Sequence, residues 1–203
     1  MSSNYVLVSR FPLKNKFSTE DFSALKNSEN TRYYFCEEQG FNELLELRSF
    51  KDIKEISWAE EEMASMFHRF SEVIAADIRR ELLKFVESPI DNEKNLPETA
   101  YIQLRHVEVP SHNYQKYRQW RDETIFNVVR ENKDKIKSFE AFHSLISGVP
   151  GVMFISSFDG NKEEYKEAFT NARYQEIIKQ AGDNFITGGN EGLYTRIYRA
   201  CCC

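Results

Sequence analysis

Cysteine is scarce in this 203-residue chain, and none of the four is placed to build a framework: Cys36 stands alone and the others form the terminal run Cys201-Cys202-Cys203. That arrangement excludes a disulfide scaffold and a pair of CxxC metal knuckles. The terminal run is read as a frayed, exposed end, because a lipid-bearing tail needs a polar tether and this one follows directly on a predicted strand. Histidine is scarce too. The four present form neither an HxH nor an HExxH pattern, so no metal ligand is assigned. Long apolar runs are missing, which argues against a signal peptide, a membrane span or a membrane partner, and the expected location is cytoplasmic. No basic block exists either. Net charge is −5, and the densest basic stretch, Lys116 to Arg130, also carries Asp122 and Glu123. A duplex nucleic-acid partner needs a cationic stripe to neutralise phosphates, so no nucleic acid is expected. Walker-type loops, GxGxxG, GxSxG and a nucleophilic Cys/His context are likewise absent.

What the chain does have is rings: aromatics make up 14% of it, with 16 Phe and 10 Tyr. Such side chains fill cores and line pockets for flat or apolar ligands. Tyr5 to Phe11 reads as a strand stopped by Pro12, and Ser18 as the cap of a helix. Thr31 to Glu37 and Phe41 to Phe50 read as strands about a turn at Gln39-Gly40. After a capping box at Ser57 to Glu60, apolar residues recur at three- and four-residue steps through Met63, Met66, Phe67, Phe70, Ile74, Ile78, Leu82 and Phe85. That spacing predicts one long amphipathic helix over 58–87, with His68 beside its stripe. The polar stretch 88–98 is the linker candidate, dividing the chain into units 1–90 and 91–203.

The second unit opens with a strand, Tyr101 to Val109. A helix capped by Ser111 follows, with Tyr117, Trp120, Ile125 and Val128 inward, and then a shorter helix over 138–146. Gly148-Val-Pro-Gly151 launches a strand to Phe158. Helix 163–181 ends at Gly182, and a Gly188-Gly189 turn leads to a last strand, Leu193 to Arg199. Leu45 to Phe50 and Ile102 to Val107 share an apolar-polar-Leu-Arg pattern, which suggests an internal repeat.

The opening strand YIQLRHVEV, the helix after it, PGVMFISSF, EYKEAFTNARYQEIIKQAG and the closing LYTRIYRA together resemble the dimeric α/β-barrel superfamily. That group contains small cofactor-free monooxygenases of antibiotic biosynthesis, haem-degrading enzymes and NIPSNAP-type proteins. The resemblance implies an α+β fold: two ferredoxin-like halves, antiparallel sheets packed as an α/β barrel, and helices outside. It further implies a cofactor-free enzyme acting on a hydrophobic or aromatic molecule. Two halves in one chain either close the barrel internally as a monomer or pair sheet edges and faces between chains, and the homodimer is slightly favoured. The Asn–Trp–His set of the haem-degrading branch has no counterpart in register here. A non-catalytic ligand-binding barrel, or one docking a protein through the long Met/Phe helix, is the alternative.

Strand alternation nominates the site. Ile102, Leu104, His106 and Glu108 share one face; Tyr101, Gln103, Arg105 and Val107 share the other. In the last strand Tyr194, Arg196 and Tyr198 lie opposite Leu193, Thr195 and Ile197. Setting Leu104 and Ile197 on the helix side turns Gln103, Arg105, Tyr194, Arg196 and Tyr198 toward the barrel interior or a partner sheet, with Glu46 and Arg48 on the equivalent face of the first half. Those side chains are expected either to bind an acidic or carbonyl-bearing ligand or to hold a sheet–sheet interface through Arg–Glu pairs. His106 and Glu108, two apart on a strand face, are the candidate base and orienter. His143, among Phe139, Phe142 and Ile146, is a further ligand-binding candidate.

Overall fold

A computed structural model describes residues 3–187 and 193–201. The first half contributes β1 (Tyr5–Pro12), β2 (Thr31–Cys36), β3 (Glu43–Phe50), α1 (Ala59–Arg69) and β4 (Arg79–Ile90). The second contributes β5 (Tyr101–Val107), α2 (Tyr114–Glu123), α3 (Ile125–Glu131), β6 (Ser138–Ile146), β7 (Val152–Phe158), α4 (Lys162–Glu167), α5 (Ala172–Asn184) and β8 (Leu193–Ala200). The strands form one closed barrel in the order β1-β3-β2-β8-β5-β7-β6-β4, antiparallel throughout, with β4 returning to β1. Cut at its two seams, the barrel gives the orders β4-β1-β3-β2 and β8-β5-β7-β6. Each is the ferredoxin-like arrangement, in which the fourth strand flanks the first. The seams are β2 against β8 and β4 against β6, and they leave no strand edge open among the described residues.

Alternation along the strands separates three packed layers. Val6, Val8, Leu45, Leu47, Leu83, Leu104 and Ile155 meet inside the barrel. Outside, Phe139, Phe154, Phe158 and Ile197 pack under α2–α5, and Phe11, Phe35 and Leu44 pack with Met66 and Phe70 at α1. Two observations give the local reason for this order. In β6, Phe139 and Ala141 join the outer layer while Phe142 joins the inner one, the period of a strand. In the second helical segment the chain breaks at Thr124 (φ −120°, ψ −81°), and Ile125, Val128 and Val129 stay buried beyond the break.

Several sequence expectations are corrected here. The helix expected over 58–87 ends at Arg69. Beyond it, the amides of Lys14 and Ala75 donate to the carbonyls of Val73 and Pro12 (2.9 and 2.8 Å), tying the segment to the end of β1. Residues 79–90 then form β4, and Leu82 and Leu83 are buried on opposite faces, which one helical stripe cannot do. With the stripe divided between a helix and a strand, it cannot serve as one docking face. The helix expected over 138–146 is β6, and that near Ser18 is a single 3-10 turn, Thr19–Phe22, closed by a capping box of Ser18 and Asp21. The late helix is two, and Gly182 lies within α5. Cys201 is buried against Tyr33, not frayed. Gly188-Gly189, Cys202 and Cys203 lie outside the described residues, as do the side chains of the capping box after Ser57. The Leu-Arg pattern matches β3 with β5, yet β5 occupies the position of β1 in its half, so those hexapeptides do not mark the structural repeat.

Leu104, wholly buried inside the barrel, gives a direct test of that layer. Leu104→Ala is expected to lower unfolding free energy by about 2–5 kcal/mol. Thr195→Ala, on the exposed side of β8, should change it by less than about 0.5 kcal/mol. Urea titrations of both variants provide the comparison.

Candidate functional site

One end of the barrel interior opens into a chamber of about 520 Å³, lined by Arg10, Arg80, Glu81, His106, Met153, Tyr194 and Arg196, with Ser147, Gly148 and Val149 at its rim. Three strands set its polar groups. On β1 the inward period Val6, Val8, Arg10 ends in a guanidinium. On β4 the period Phe85, Leu83, Glu81 ends in a carboxylate, and on β5 Ile102 and Leu104 lead to His106. Arg10 donates to Glu81 in a buried ion pair. From β8, Tyr194 hydroxyl meets Tyr198 hydroxyl at 2.9 Å, and Tyr198 donates to Glu43 Oε1 at 2.6 Å. Arg196 donates to both Glu43 oxygens, at 3.2 and 3.1 Å, and lies over the rings of Phe41 and Tyr194 at 3.9 and 4.6 Å.

Three buried polar atoms of inward-facing residues on this lining lack a well-formed hydrogen bond: Arg10 Nε, Glu81 Oε2 and His106 Nε2. Burial lowers the His106 pKa from its ordinary value, and the charges of Glu81 and Glu108 with a backbone interaction at Pro150 restore it only in part, so the ring is held neutral. Burial raises the hydroxyl pKa of Tyr194, and Arg10 opposes that shift. Both tyrosines therefore remain protonated donors at neutral pH.

The nominated residues divide among three places. His106, Tyr194 and Arg196 share the chamber, with Tyr198 just behind its lining. Gln103 and Arg105 face outward instead, under α4 and α5. Arg105 bonds to Tyr174 and to Gln103 Oε1 (3.0 Å) and lies 4.6 Å from the Phe169 ring centre. The expected placement of Leu104 is reversed with them: it points into the barrel, while Ile197 does face the helices. Glu46 and Arg48 also face outward, joined at 2.8 Å, with Arg48 bidentate to Glu62 of α1. Glu108 and His143 line a separate outer cleft. His106 and Glu108 thus make no base–orienter pair, because β5 ends at Val107 and Glu108 leaves the strand. Sequence reasoning missed Arg10, Glu81 and Glu43. The alternation Val6-Val8-Arg10 was available to find the first, whereas Glu81 was hidden by its placement in a helix.

The arrangement of two ferredoxin-like sheets closing one barrel has counterparts among solved structures. A candidate monooxygenase from Fusobacterium nucleatum subsp. nucleatum superposes with a TM-score of 0.68 at 12% identity, covering 98% of this chain and 93% of that one. An anthrone oxidase-like protein gives 0.66 at 11% identity, covering 97% and 90%. A ferredoxin-fold protein related to antibiotic biosynthesis monooxygenases, from Listeria monocytogenes, gives 0.52 at 8% identity, covering 98% and 95%. The chain shares with them the fold of two ferredoxin-like sheets closed into one α/β barrel. At these identities the likeness concerns the fold alone. No family model matches the sequence, and no curated protein matches it. Among the described residues no group of three or more His, Cys, Asp or Glu could hold a metal ion, and no helix is long and apolar enough to cross a membrane.

Two predictions follow from the geometry around His106. Gly151 has φ +152°, and a Cβ there would come within 2.4 Å of the Val107 carbonyl oxygen and 2.8 Å of His106 Nε2. Gly151→Ala should cost roughly 1–3 kcal/mol of stability and displace the imidazole, read by urea titration and by the His106 resonance. For pH, the unfolded chain takes up a proton on His106 below about 6.5, whereas the folded chain resists it. This contribution to stability is complete above that pH and is lost as pH falls toward the depressed folded pKa. Urea midpoints at pH 7.5 and 5.5 should therefore converge in His106→Gln relative to the unmodified protein.

Proposed function

We propose that the protein is a small-molecule enzyme of the monooxygenase type, whose inner chamber takes a flat, enolisable or phenolic substrate and whose His106 removes the proton that activates it. The observation carrying this reading is the grouping of three unsatisfied buried polar atoms, on Arg10, Glu81 and His106, about one cavity. Buried groups left without partners are rare in folded proteins, and their clustering in a cavity suits a ligand that completes them. A neutral imidazole is the protonation state that a general base requires. Arg10 and Arg196 supply positive charge where an enolate or phenolate would form, and the low polarity of the barrel interior strengthens that interaction.

The neighbouring fold of an anthrone oxidase-like protein supplies a probe. Oxidation of anthrone by O2 gives anthraquinone and water, a balanced reaction that begins with loss of a ring proton and requires no cofactor in this reading. A tricyclic molecule is compatible with a chamber of about 520 Å³. Since the barrel has no open strand edge among the described residues, a homodimer would form through its outer surfaces.

Oxygen uptake and quinone absorbance with anthrone are expected from the unmodified protein. His106→Ala should reduce the rate roughly 100-fold or more with its circular dichroism unchanged. Activity within threefold of the original would remove His106 from the role. Thermal stabilisation by anthrone without oxygen uptake would favour the non-catalytic ligand-binding barrel.

A further inference from the structure

On the far side of the barrel wall lies a larger space, an open cleft of about 810 Å³ whose lining includes Lys84, Glu108, Tyr114, Arg118, His143 and Leu145. It belongs to neither half alone. Lys84 of β4 and His143 of β6 are register partners across the seam that closes the barrel. The pairing there is irregular, with shifts between Leu82 and Leu83 and between Phe85 and Glu87. Irregularities of this kind bend a strand and re-aim its side chains, and they concentrate beside functional sites. Here they bring three consecutive residues, Lys84, Phe85 and Val86, to the cleft lining, where regular alternation would offer every second one.

The chemistry of the cleft differs from that of the inner chamber. Val86, Val109, Pro110 and Pro150 make much of the lining apolar, and Leu145 remains 48% exposed. Tyr114 stands edge-on to the His143 ring at 5.0 Å, forming an aromatic corner. The Tyr114 hydroxyl is buried without a hydrogen-bond partner, and burial raises its pKa, so it stays a donor. Charge on the wall is net positive although the chain carries −5. Lys84 makes no ion pair among the described residues. Glu87 is shared between Arg118 (2.6 Å) and the wholly buried Arg121, so one carboxylate faces two guanidiniums. Glu108 is the acidic residue on the lining, which disfavours multiply charged anions.

We infer that this seam cleft is a second binding site, and that its ligand is a flat aromatic monocarboxylate. The rings would pack on Leu145, Pro110 and the Tyr114–His143 corner, and the carboxylate would accept from the Tyr114 hydroxyl and the Lys84 ammonium. The inference does not depend on the inner chamber being catalytic, because it uses a different cavity and different side chains.

The test uses 4-benzoylbenzoate, a photoreactive aromatic carboxylate, with the full chain. Labelling is expected to saturate and to map to residues 84–86 and 109–114. Lys84→Glu, a change at an exposed side chain, should weaken binding roughly tenfold or more, and Tyr114→Phe severalfold, with melting curves showing both variants folded. His106→Ala should leave labelling of those peptides in place. The inference is overturned by labelling that does not saturate, by equal labelling of Lys84→Glu, or by label confined to residues 79–81 and 194–196. The last result would place the probe in the inner chamber.

Discussion

Closure of the sheet on itself governs everything else in this molecule. Eight antiparallel strands leave no edge to protect among the described residues, and each strand therefore presents one face to an enclosed interior and the other to a covering layer. The interior is filled by aliphatic side chains over most of its length. At one end the inward positions of β1, β4, β5 and β8 fall to Arg10, Glu81, His106 and Tyr194. An enclosed space is costly for charge unless charges pair, and Arg10 with Glu81, and Arg196 with Glu43, answer that requirement. The polar end of the barrel and the apolar remainder are thus two outcomes of one geometric constraint.

The same constraint explains which parts of the fold could be read in advance. The strands at 5–12, 31–36, 43–50, 101–107, 152–158 and 193–200 announce themselves by β-rich composition and flanking turns. The segment from Phe70 to Phe85 does not. Its apolar residues stand four apart through Ile74, Ile78 and Leu82, and a spacing of four fits both a helical face and one side of a strand. Leu83, buried on the face opposite Leu82, was the discriminating residue, and a helical stripe has no place for it. In 138–146 the barrel interior tolerates Ser138 and Glu140, so apolar alternation is weakened at the positions that would have revealed a strand.

The candidate site was half legible for a related reason. Alternation correctly grouped Tyr194, Arg196 and Tyr198, and separately His106 with Leu104. It could not say which face of β5 turned inward, because Arg105 and Gln103 are satisfied under α4 and α5 by Tyr174 and Tyr165 as readily as polar groups are inside. Residues from the first half entered the chamber unseen, since their arrival depends on two seams that no local pattern records.

Joining the halves through residues 91–100 has a consequence in mass action. A barrel completed by two separate chains exists only above the concentration at which they associate, and it comes apart on dilution. Here the partner sheet is supplied at the effective concentration set by a short tether. The chamber, and the seam cleft with it, should be as complete in a nanomolar solution as in a concentrated one. The two halves are also released from sequence identity, so one can carry Arg10 and Glu81 while the other carries His106 and Tyr194.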